Sequence, residues 1–179
     1  IEIDSFGKWR VGSVLESCSS LRTQTATELF LLIKREPTML QGGLHMDYSE
    51  LIVEKIGRVG VLTLNRPPKN SFSKKLLKEM LTAMDAFEKD DDIRTVFLKS
   101  TGEHFSRGAD ADDIKKALTG EVEEIKESFA ELGGALVEKI DSYPKSTIVA
   151  AKGRCIGGST AVFNAFDIRI VGESFFIKD

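Results

Sequence analysis

Two glycine-containing turns carry the residues whose types and spacing could do chemistry. Residues 106–110 (Ser-Arg-Gly-Ala-Asp) follow a strand-like run at 95–98, and residues 153–159 follow another at 147–151. Each turn ends a predicted strand and leads into a predicted helix, so backbone N–H groups at the helix start lack an acceptor. Such donors suit an oxygen that is or becomes negative during a reaction. Together the turns predict a site in which two main-chain amides clamp one oxygen.

Close packing is the alternative interpretation of Gly157-Gly158, since glycine has no Cβ to hold a neighbouring backbone away. The second turn is not a nucleotide-binding loop, because it matches neither Gly-x-Gly-x-x-Gly nor Gly-x-x-x-x-Gly-Lys-Ser/Thr. A catalytic interpretation therefore depends on both turns being present and converging.

Alternating and helical hydrophobic patterns predict the elements that must position these turns. Residues 51–56 and 59–64 read as a β-hairpin, and 74–89 reads as an amphipathic helix that Asn70, Ser71 or Ser73 can cap. A second long helix is predicted at 121–140, with Ile125, Phe129, Leu132, Leu136, Val137 and Ile140 facing inward. Periodicity alone thus indicates a mixed α/β domain.

Three ordered motifs make the chain resemble the enoyl-CoA hydratase/isomerase (crotonase) superfamily. They are residues 62–73 (Leu-Thr-Leu-Asn-Arg-Pro-Pro-Lys-Asn-Ser-Phe-Ser), 105–110 (Phe-Ser-Arg-Gly-Ala-Asp) and 153–158 (Gly-Arg-Cys-Ile-Gly-Gly), followed by Asp-Ile-Arg-Ile at 167–170. The resemblance implies a crotonase-like spiral of ββα units that lacks its C-terminal helical part. It assigns residues 46–179 to the N-terminal part of that domain and does not cover residues 1–45.

The resemblance also implies which residues act on an acyl-CoA thioester. The backbone N–H groups of Ala109 and Gly158 would form an oxyanion hole around the thioester oxygen, where an enolate develops. Asp110 resembles the family's structural aspartate, which caps its helix. The substrate-binding residues expected by this match are Lys69, Asn70, Ser71, Ser106, Gly108, Asp110 and Gly157.

The catalytic acids are where the chain departs from the family pattern. Ala161 stands where hydratases of the family carry their first glutamate, and the second glutamate is expected at about the point where the sequence stops, Asp179. Ser159 and Thr160 have no adjacent base, and Cys155 is expected to be packed. His104 and the pair Asp112 and Asp113 are minor candidates for proton transfer.

We therefore expect an acyl-CoA-processing enzyme of the isomerase or hydratase type, acting in fatty acid metabolism. Ala161 favours an enoyl-CoA isomerase over a hydratase, because hydration requires a pair of groups to position water and move its proton. A superfamily decarboxylase or thioester hydrolase, and a non-catalytic acyl-CoA-binding or assembly subunit, are the alternatives. The family further implies a trimer or a dimer of trimers for the full-length protein.

Composition excludes several other classes. The 25 basic and 28 acidic residues leave no basic surface pattern for nucleic acid, and no apolar run is long enough to cross a bilayer. Cys18 and Cys155 have neither CxxC spacing nor a histidine cluster nearby, so we expect no disulfide framework and no zinc. No cofactor is expected beyond coenzyme A within the substrate. The cytoplasm or a mitochondrial or peroxisomal matrix is the expected location.

Residues 1–45 differ from the rest of the chain. They are rich in Ser and Thr, with a short helix expected at 23–33 and a linker around Pro37 and Gly42-Gly43. The pattern favours a disordered or artificially added extension. A targeting peptide is the alternative, against which stand the acidic residues Glu2 and Asp4.

Overall fold

The computed structural model describes residues 2–3, 9–10, 31, 48–118 and 123–178. Most of the segment predicted to be an extension, residues 1–45, therefore lies outside the described residues. The strands are β1 Glu2–Ile3, β2 Trp9–Arg10, β3 Leu51–Ile56, β4 Val59–Leu64, β5 Thr95–Ser100, β6 Ser146–Ala151, β7 Arg154–Ile156, β8 Ile168–Val171 and β9 Phe176–Lys178. The helices are α1 Lys74–Lys89, α2 Ala111–Leu118, α3 Glu123–Asp141 and α4 Gly158–Asn164.

Five strands form the main sheet, in the order β3-β4-β5-β6-β8. The β3–β4 hairpin is antiparallel, and the remaining neighbours are parallel, joined by connections that contain the helices. Two small sheets accompany it: β7 pairs with β9 in parallel, and β1 pairs with β2 antiparallel. Because β4, β5 and β6 are parallel, the segments that follow them all leave the sheet at the same edge.

The larger hydrophobic core lies between the sheet and the helices α1, α3 and α4. Ser73 is the N-cap of helix α1, and its hydroxyl accepts a hydrogen bond from the Leu76 N–H at 2.9 Å. The predicted stripe of α1 is confirmed, since Leu76, Leu77, Met80, Met84 and Phe87 are buried. A smaller cluster on the opposite face of the sheet contains Val61, Phe97, Ala150 and Ile170.

Helix α3 also presents its predicted apolar positions to this core. Leu136 and Ile140 are buried, and Phe129, Leu132 and Val137 pack against the core while partly exposed. The expected side-chain position of Ile125 lies outside what the structure describes.

The predicted mixed α/β class is confirmed, and one detail differs from the sequence expectation. Strand β7 interrupts the turn between Gly153 and Gly157, which the sequence pattern did not predict. In helix α4 Ser159, Thr160, Val162 and Phe163 are buried, whereas Ala161 is exposed.

Candidate active site

The segments after β4, β5 and β6 meet at the carboxyl edge of the sheet. We call residues 105–110 the Ala109 loop and residues 153–158 the Gly158 turn. The Ala109 loop lies between the segment 69–72 and the Gly158 turn, with isolated parallel bridges to Phe72 on one side and to Cys155 on the other. The site is therefore built from three non-adjacent stretches of chain that form a small, irregular sheet.

Phe72 fixes the backbone on both sides of Ala109. Its N–H donates to the Gly108 carbonyl at 2.8 Å, and its carbonyl accepts from the Asp110 N–H at 2.8 Å. In parallel pairing of this kind the residue between the two bonds turns its own N–H to the other side of the strand. The Ala109 N–H consequently points away from Phe72, toward the side on which the Gly158 turn lies.

Gly108 brings the Ala109 loop into direct contact with the Gly158 turn. Its φ is +85°, and a Cβ at this position would lie 2.7 Å from the Ile156 carbonyl oxygen and 3.9 Å from the Gly157 Cα. Only glycine permits both the positive φ and this approach without a shift of the backbone. The contact places Ala109 and Gly158, each one residue further along, at neighbouring points of the two stretches.

The Gly158 turn is held by its own backbone and by one hydroxyl. The Ser159 hydroxyl accepts from the Ile156 N–H at 3.0 Å and donates to the Ile156 carbonyl at 2.8 Å. Gly157 has a φ of +60°, and its N–H donates to the Lys178 carbonyl on β9 at 2.9 Å. Gly158 is the first residue of α4, so its N–H has no acceptor within the helix.

Among the described residues, neither the Ala109 N–H nor the Gly158 N–H has a hydrogen-bond acceptor. Ala109 is half-buried and Gly158 is exposed. A half-buried backbone N–H is ordinarily paired, so the Ala109 N–H is open to an external acceptor, and the exposed Gly158 N–H lies on the adjoining stretch.

Arg66, Glu50 and Asp110 form a charged cluster, the Arg66 cluster, that supports the Ala109 loop. Arg66 Nη1 lies 2.9 Å from Asp110 Oδ2, and Arg66 Nε lies 3.1 Å from Glu50 Oε1. Arg66 Nη1 also donates to the Ser71 carbonyl at 2.5 Å. Glu50 in turn accepts from the hydroxyl of Ser73, the cap of α1. One guanidinium therefore connects the end of β4, the start of α1 and the start of α2.

Asp110 caps α2, in agreement with the prediction. Its Oδ1 accepts from the Asp112 N–H at 3.0 Å, and its side chain pairs with Arg66. Burial raises the pKa of Asp110, but the hydrogen bonds from the Arg66 guanidinium and from the Asp112 and Asp113 amides outweigh it and leave the pKa below its usual value. The carboxylate is therefore committed to internal partners.

Of the other residues predicted to bind the substrate, Lys69 is exposed and Asn70 is buried. The Lys69 side chain is exposed, and the Lys69 carbonyl accepts from the Arg107 N–H at 2.9 Å. Asn70 is fully buried: its amide nitrogen donates to the Thr101 and His104 carbonyls, and its oxygen accepts from the Arg66 N–H. Asn70 thus fixes the conformation of the segment that presents Lys69.

Ser71 and Ser106 also lie inside the structure. Ser71 is 8% exposed and offers its carbonyl to Arg66. Ser106 is fully buried, and its hydroxyl accepts from the Gly108 N–H at 3.2 Å. This bond supports the positive φ of Gly108. The Ser106 side chain therefore stabilises the loop from within and is not exposed to a ligand.

Two of the candidates for proton transfer, His104 and Asp113, accept hydrogen bonds from backbone N–H groups. The His104 Nδ1 accepts from the Arg154 N–H at 3.4 Å, and the Asp113 carboxylate accepts from the Lys74 N–H at 3.2 Å. Asp112 is exposed. Cys155 is fully buried, with its Sγ 3.6 Å from Ser159 Oγ, as its predicted packing role requires.

A cleft of about 810 Å³ is lined in part by Glu50, Arg66 and Asp110 themselves. It is lined by both signs of charge, including Lys74, Lys75 and Lys78 from α1 and Asp112 and Asp113 from α2. Over the residues that the structure describes, no group of three or more His, Cys, Asp or Glu side chains is arranged to hold a metal ion. Within that same part of the chain, no helix has the length and apolar character to cross a membrane.

Sequence reasoning missed the support of the site. The sequence does not predict the supporting roles of Arg66, Glu50 and Phe72, because their partners are distant in sequence or belong to the backbone. The only local signal was the Asn-Arg-Pro-Pro run at 65–68, in which a charged side chain precedes a conformationally restricted turn.

Comparison with known proteins agrees with this architecture. The family model of enoyl-CoA hydratase/isomerase matches residues 54–177. The short-chain-enoyl-CoA hydratase of Clostridium acetobutylicum is 32% identical over 131 residues, which cover 72% of this chain and 49% of that protein. The trans-2-decenoyl-[acyl-carrier-protein] isomerase of Streptococcus mutans is 27% identical, covering 72% of this chain and 49% of that protein.

A crystal structure from Legionella pneumophila, assigned to the enoyl-CoA hydratase/isomerase (crotonase) group, superposes with a TM-score of 0.67 at 34% identity. The superposition covers 72% of this chain and 50% of that one. The parallel sheet with facing turns at its carboxyl edge is therefore a crotonase-like α/β domain. The chain belongs to the enoyl-CoA hydratase/isomerase family. It spans about half the length of the curated relatives that it matches.

Proposed function

We propose that the full protein is an acyl-CoA-processing enzyme of the enoyl-CoA isomerase or hydratase type. In this proposal the N–H groups of Ala109 and Gly158 bind the thioester oxygen and stabilise the enolate that forms on it. The observation that carries the proposal is the pair of amides without acceptors on two stretches that Gly108 holds in contact. Coenzyme A enters as part of the substrate, and we propose no separate cofactor.

The physical basis is the movement of charge onto the thioester oxygen. Removing a proton alpha to the carbonyl, or adding to a conjugated double bond, places negative charge there, and donors already aimed at that oxygen stabilise the transition state. Loss of one such donor typically costs about 3–4 kcal/mol. The backbone hydrogen bonds of Gly108 and Asp110 with Phe72, and of Gly157 with Lys178, support the proposal because they would hold both donors before the substrate binds.

Ala161 favours double-bond isomerisation over hydration. It lies three residues after Gly158, is exposed, and carries no group that could position water. Isomerisation needs a single acid/base that removes a proton and returns it to another carbon. Relatives of both kinds, a hydratase and an isomerase, match the chain at comparable coverage.

The phosphates of the substrate would meet the segment that Lys69 begins. Lys69 is exposed beside the Ala109 loop, and the fully internal hydrogen bonds of Asn70 hold it there. A lysine acts as a point charge for phosphate, so this contact contributes to binding and not to chemistry.

The reaction type is tested by assaying the full protein with 3-enoyl-CoA and 2-enoyl-CoA substrates. We expect interconversion of the two isomers and exchange of the alpha proton with deuterium from solvent. Ala161→Glu is the matched variant: we expect it to add hydration of crotonyl-CoA to an enzyme that hydrates it slowly. Rapid hydration of crotonyl-CoA by the unaltered protein would contradict the isomerase assignment.

A second candidate function is a non-catalytic acyl-CoA-binding subunit. It is favoured by Ala161 and by the engagement of the His104 imidazole with the Arg154 N–H. This candidate predicts binding of butyryl-CoA, measured by calorimetry, without alpha-proton exchange. Detectable exchange that Gly108→Ala abolishes would exclude it.

A further inference from the structure

We infer that Arg66 is a positioning residue that aims the Ala109 N–H at the substrate oxygen. This inference rests on the proposed function and concerns how the oxyanion donor is held. Its basis is the place of the guanidinium, which binds Asp110 on one side of the Phe72–Ala109 bridge and Ser71 on the other.

The direction of the Ala109 N–H depends on the peptide planes around it. Those planes are set by the bonds between Phe72 and the flanking residues Gly108 and Asp110. A shift of the segment 69–72 relative to the Ala109 loop would rotate the Ala109 amide. The Arg66 side chain spans this pair of stretches with contacts of 2.9 Å to Asp110 and 2.5 Å to the Ser71 carbonyl, so it resists that shift.

Arginine suits this role because of its shape. Its planar guanidinium offers five donors in a fixed fork, so one side chain can hold several acceptors in a defined mutual arrangement. Here the acceptors are Asp110, Glu50 and the Ser71 carbonyl, and the side chain is only 26% exposed. The Arg66 backbone is fixed as well, since its N–H and carbonyl both bond to Asn70.

Arg66 can orient the Ala109 amide without touching the substrate. The Arg66 guanidinium binds Asp110, Glu50 and the Ser71 carbonyl, all within the protein. Of these, Asp110 directly follows Ala109 in the chain. Loss of Arg66 is therefore expected to weaken a transition-state interaction more than ground-state binding. In kinetic terms kcat falls, whereas KM changes little.

The test uses the full protein with the variants Arg66→Met and Arg66→Lys. The matched control is Lys55→Met, which removes an ion pair of the same kind with Asp90, at 2.7 Å, away from the Ala109 loop. Two quantities are measured: the kinetic constants for alpha-proton exchange, and the infrared carbonyl stretch of bound butyryl-CoA labelled with ¹³C at the thioester carbon. The stretch reports hydrogen bonding to the thioester oxygen and is insensitive to global stability.

In the unaltered protein we expect the carbonyl stretch to shift to lower frequency on binding. Arg66→Met is expected to lose most of this shift and to lower kcat by about 10–100-fold, short of the about 10²–10³-fold effect of removing a donor outright. Arg66→Lys should recover part of both, and Lys55→Met should retain both in full. Should Arg66→Met fail to fold, Asp110→Asn tests the same link.

The outcomes separate this inference from the proposed function. A carbonyl shift in the unaltered protein that Arg66→Met and Asp110→Asn both preserve, with kcat unchanged, overturns the positioning role alone. Absence of any shift in the unaltered protein overturns the proposed function and the inference with it. A lower melting temperature with an intact shift would show that Arg66 only stabilises the fold, and it counts against the inference.

Discussion

The Ala109 loop and the Gly158 turn offer the same group, a backbone N–H, and hold it by different means. The Ala109 loop is fixed by two bonds to Phe72 and by the ion pair between Arg66 and Asp110. The Gly158 turn is fixed by the Ser159 hydroxyl and by pairing of β7 with β9. One donor thus depends on charged side chains from distant segments, and the other depends on a hydroxyl next to the turn and on backbone pairing with β9.

The two donors should therefore respond differently to substitution. Charged partners can be changed one at a time while the backbone remains in place, so the Ala109 side should give graded effects. The Gly158 side depends on positive φ angles and a short strand, so small changes in shape should have large effects. Gly108 and Ile156 are where the Ala109 loop and the Gly158 turn meet. A substitution at this contact should displace both donors at once.

Gly108→Ala is expected to have the largest effect. The added Cβ would lie 2.7 Å from the Ile156 carbonyl oxygen, at a φ of +85°, so the two stretches must separate. We expect kcat for alpha-proton exchange to fall by more than about 100-fold, as for loss of an oxyanion donor.

Gly57→Ala is the control for Gly108→Ala. Gly57 has a φ of +58°, in the β3–β4 hairpin, and a Cβ there would meet nothing within 4 Å. It should lose about 1 kcal/mol of stability through backbone strain and keep its activity. Equal losses of activity in the two variants would show that strain, not contact between the turns, is responsible.

Ser159→Ala should have an intermediate effect on the Gly158 side. It removes the bonds to both the N–H and the carbonyl of Ile156, just before the turn. We expect a loss of about 1–3 kcal/mol in the free energy of unfolding, and about a 10-fold lower kcat. Urea unfolding and exchange kinetics measure the two.

Ser142→Ala provides the comparison for this variant. Its hydroxyl donates to the Glu138 carbonyl at 2.7 Å, at the exposed end of α3. An unchanged kcat in Ser142→Ala together with a reduced one in Ser159→Ala would locate the effect in the turn. Unchanged kinetics in Ser159→Ala would contradict its role in holding the Gly158 amide.

Asp110→Asn removes the charge that pairs with Arg66 beside the Ala109 loop. The folded pKa of Asp110 is lowered, so its ion pair stabilises the protein above the unfolded pKa of about 3.9, and this stabilisation is lost as pH falls through the lower folded pKa. At pH 7 we expect the variant to be less stable by about 1–2 kcal/mol. The difference from the unaltered protein should be constant above about pH 5 and should shrink below about pH 4. Urea unfolding at pH 7, 4 and 3 measures it, and a difference that grows on acidification would contradict the assignment.

Lys69→Ala should have the smallest effect, since Lys69 is exposed and its attraction to phosphate is screened by salt. We expect KM to rise about 2–5-fold with kcat unchanged. Lys89→Ala, at the opposite end of α1, is the control and should leave both constants unchanged. A fall in kcat for Lys69→Ala would place this residue in the chemistry instead of in binding.

The regular elements could be predicted because their signals are local. The bounds of α1 and of the β3–β4 hairpin follow from hydrophobic periodicity and from punctuation by Gly57 and by Pro67-Pro68. Strand β7 could not be predicted in the same way. It has three residues, and it forms only because β9 and Ser106, both distant in sequence, pair with it.

The site itself was predictable only in part. Glycines before two helices predict the two donors that we propose, because backbone chemistry of this kind needs few side chains. Their support was not predictable, since nothing in the sequence pairs Arg66 with Asp110, or Asn70 with the carbonyls of Thr101 and His104. Burial of Asn70 likewise depends on the tertiary fold and not on the polarity of the residue.

The central claim is that the Ala109 and Gly158 amides share one thioester oxygen. A crystal structure of the full protein with bound acetoacetyl-CoA tests it most directly. We predict that the thioester oxygen lies about 2.7–3.1 Å from both amide nitrogens, as in an oxyanion hole. A thioester oxygen bound to other groups, with both N–H donors left in water, would contradict the account.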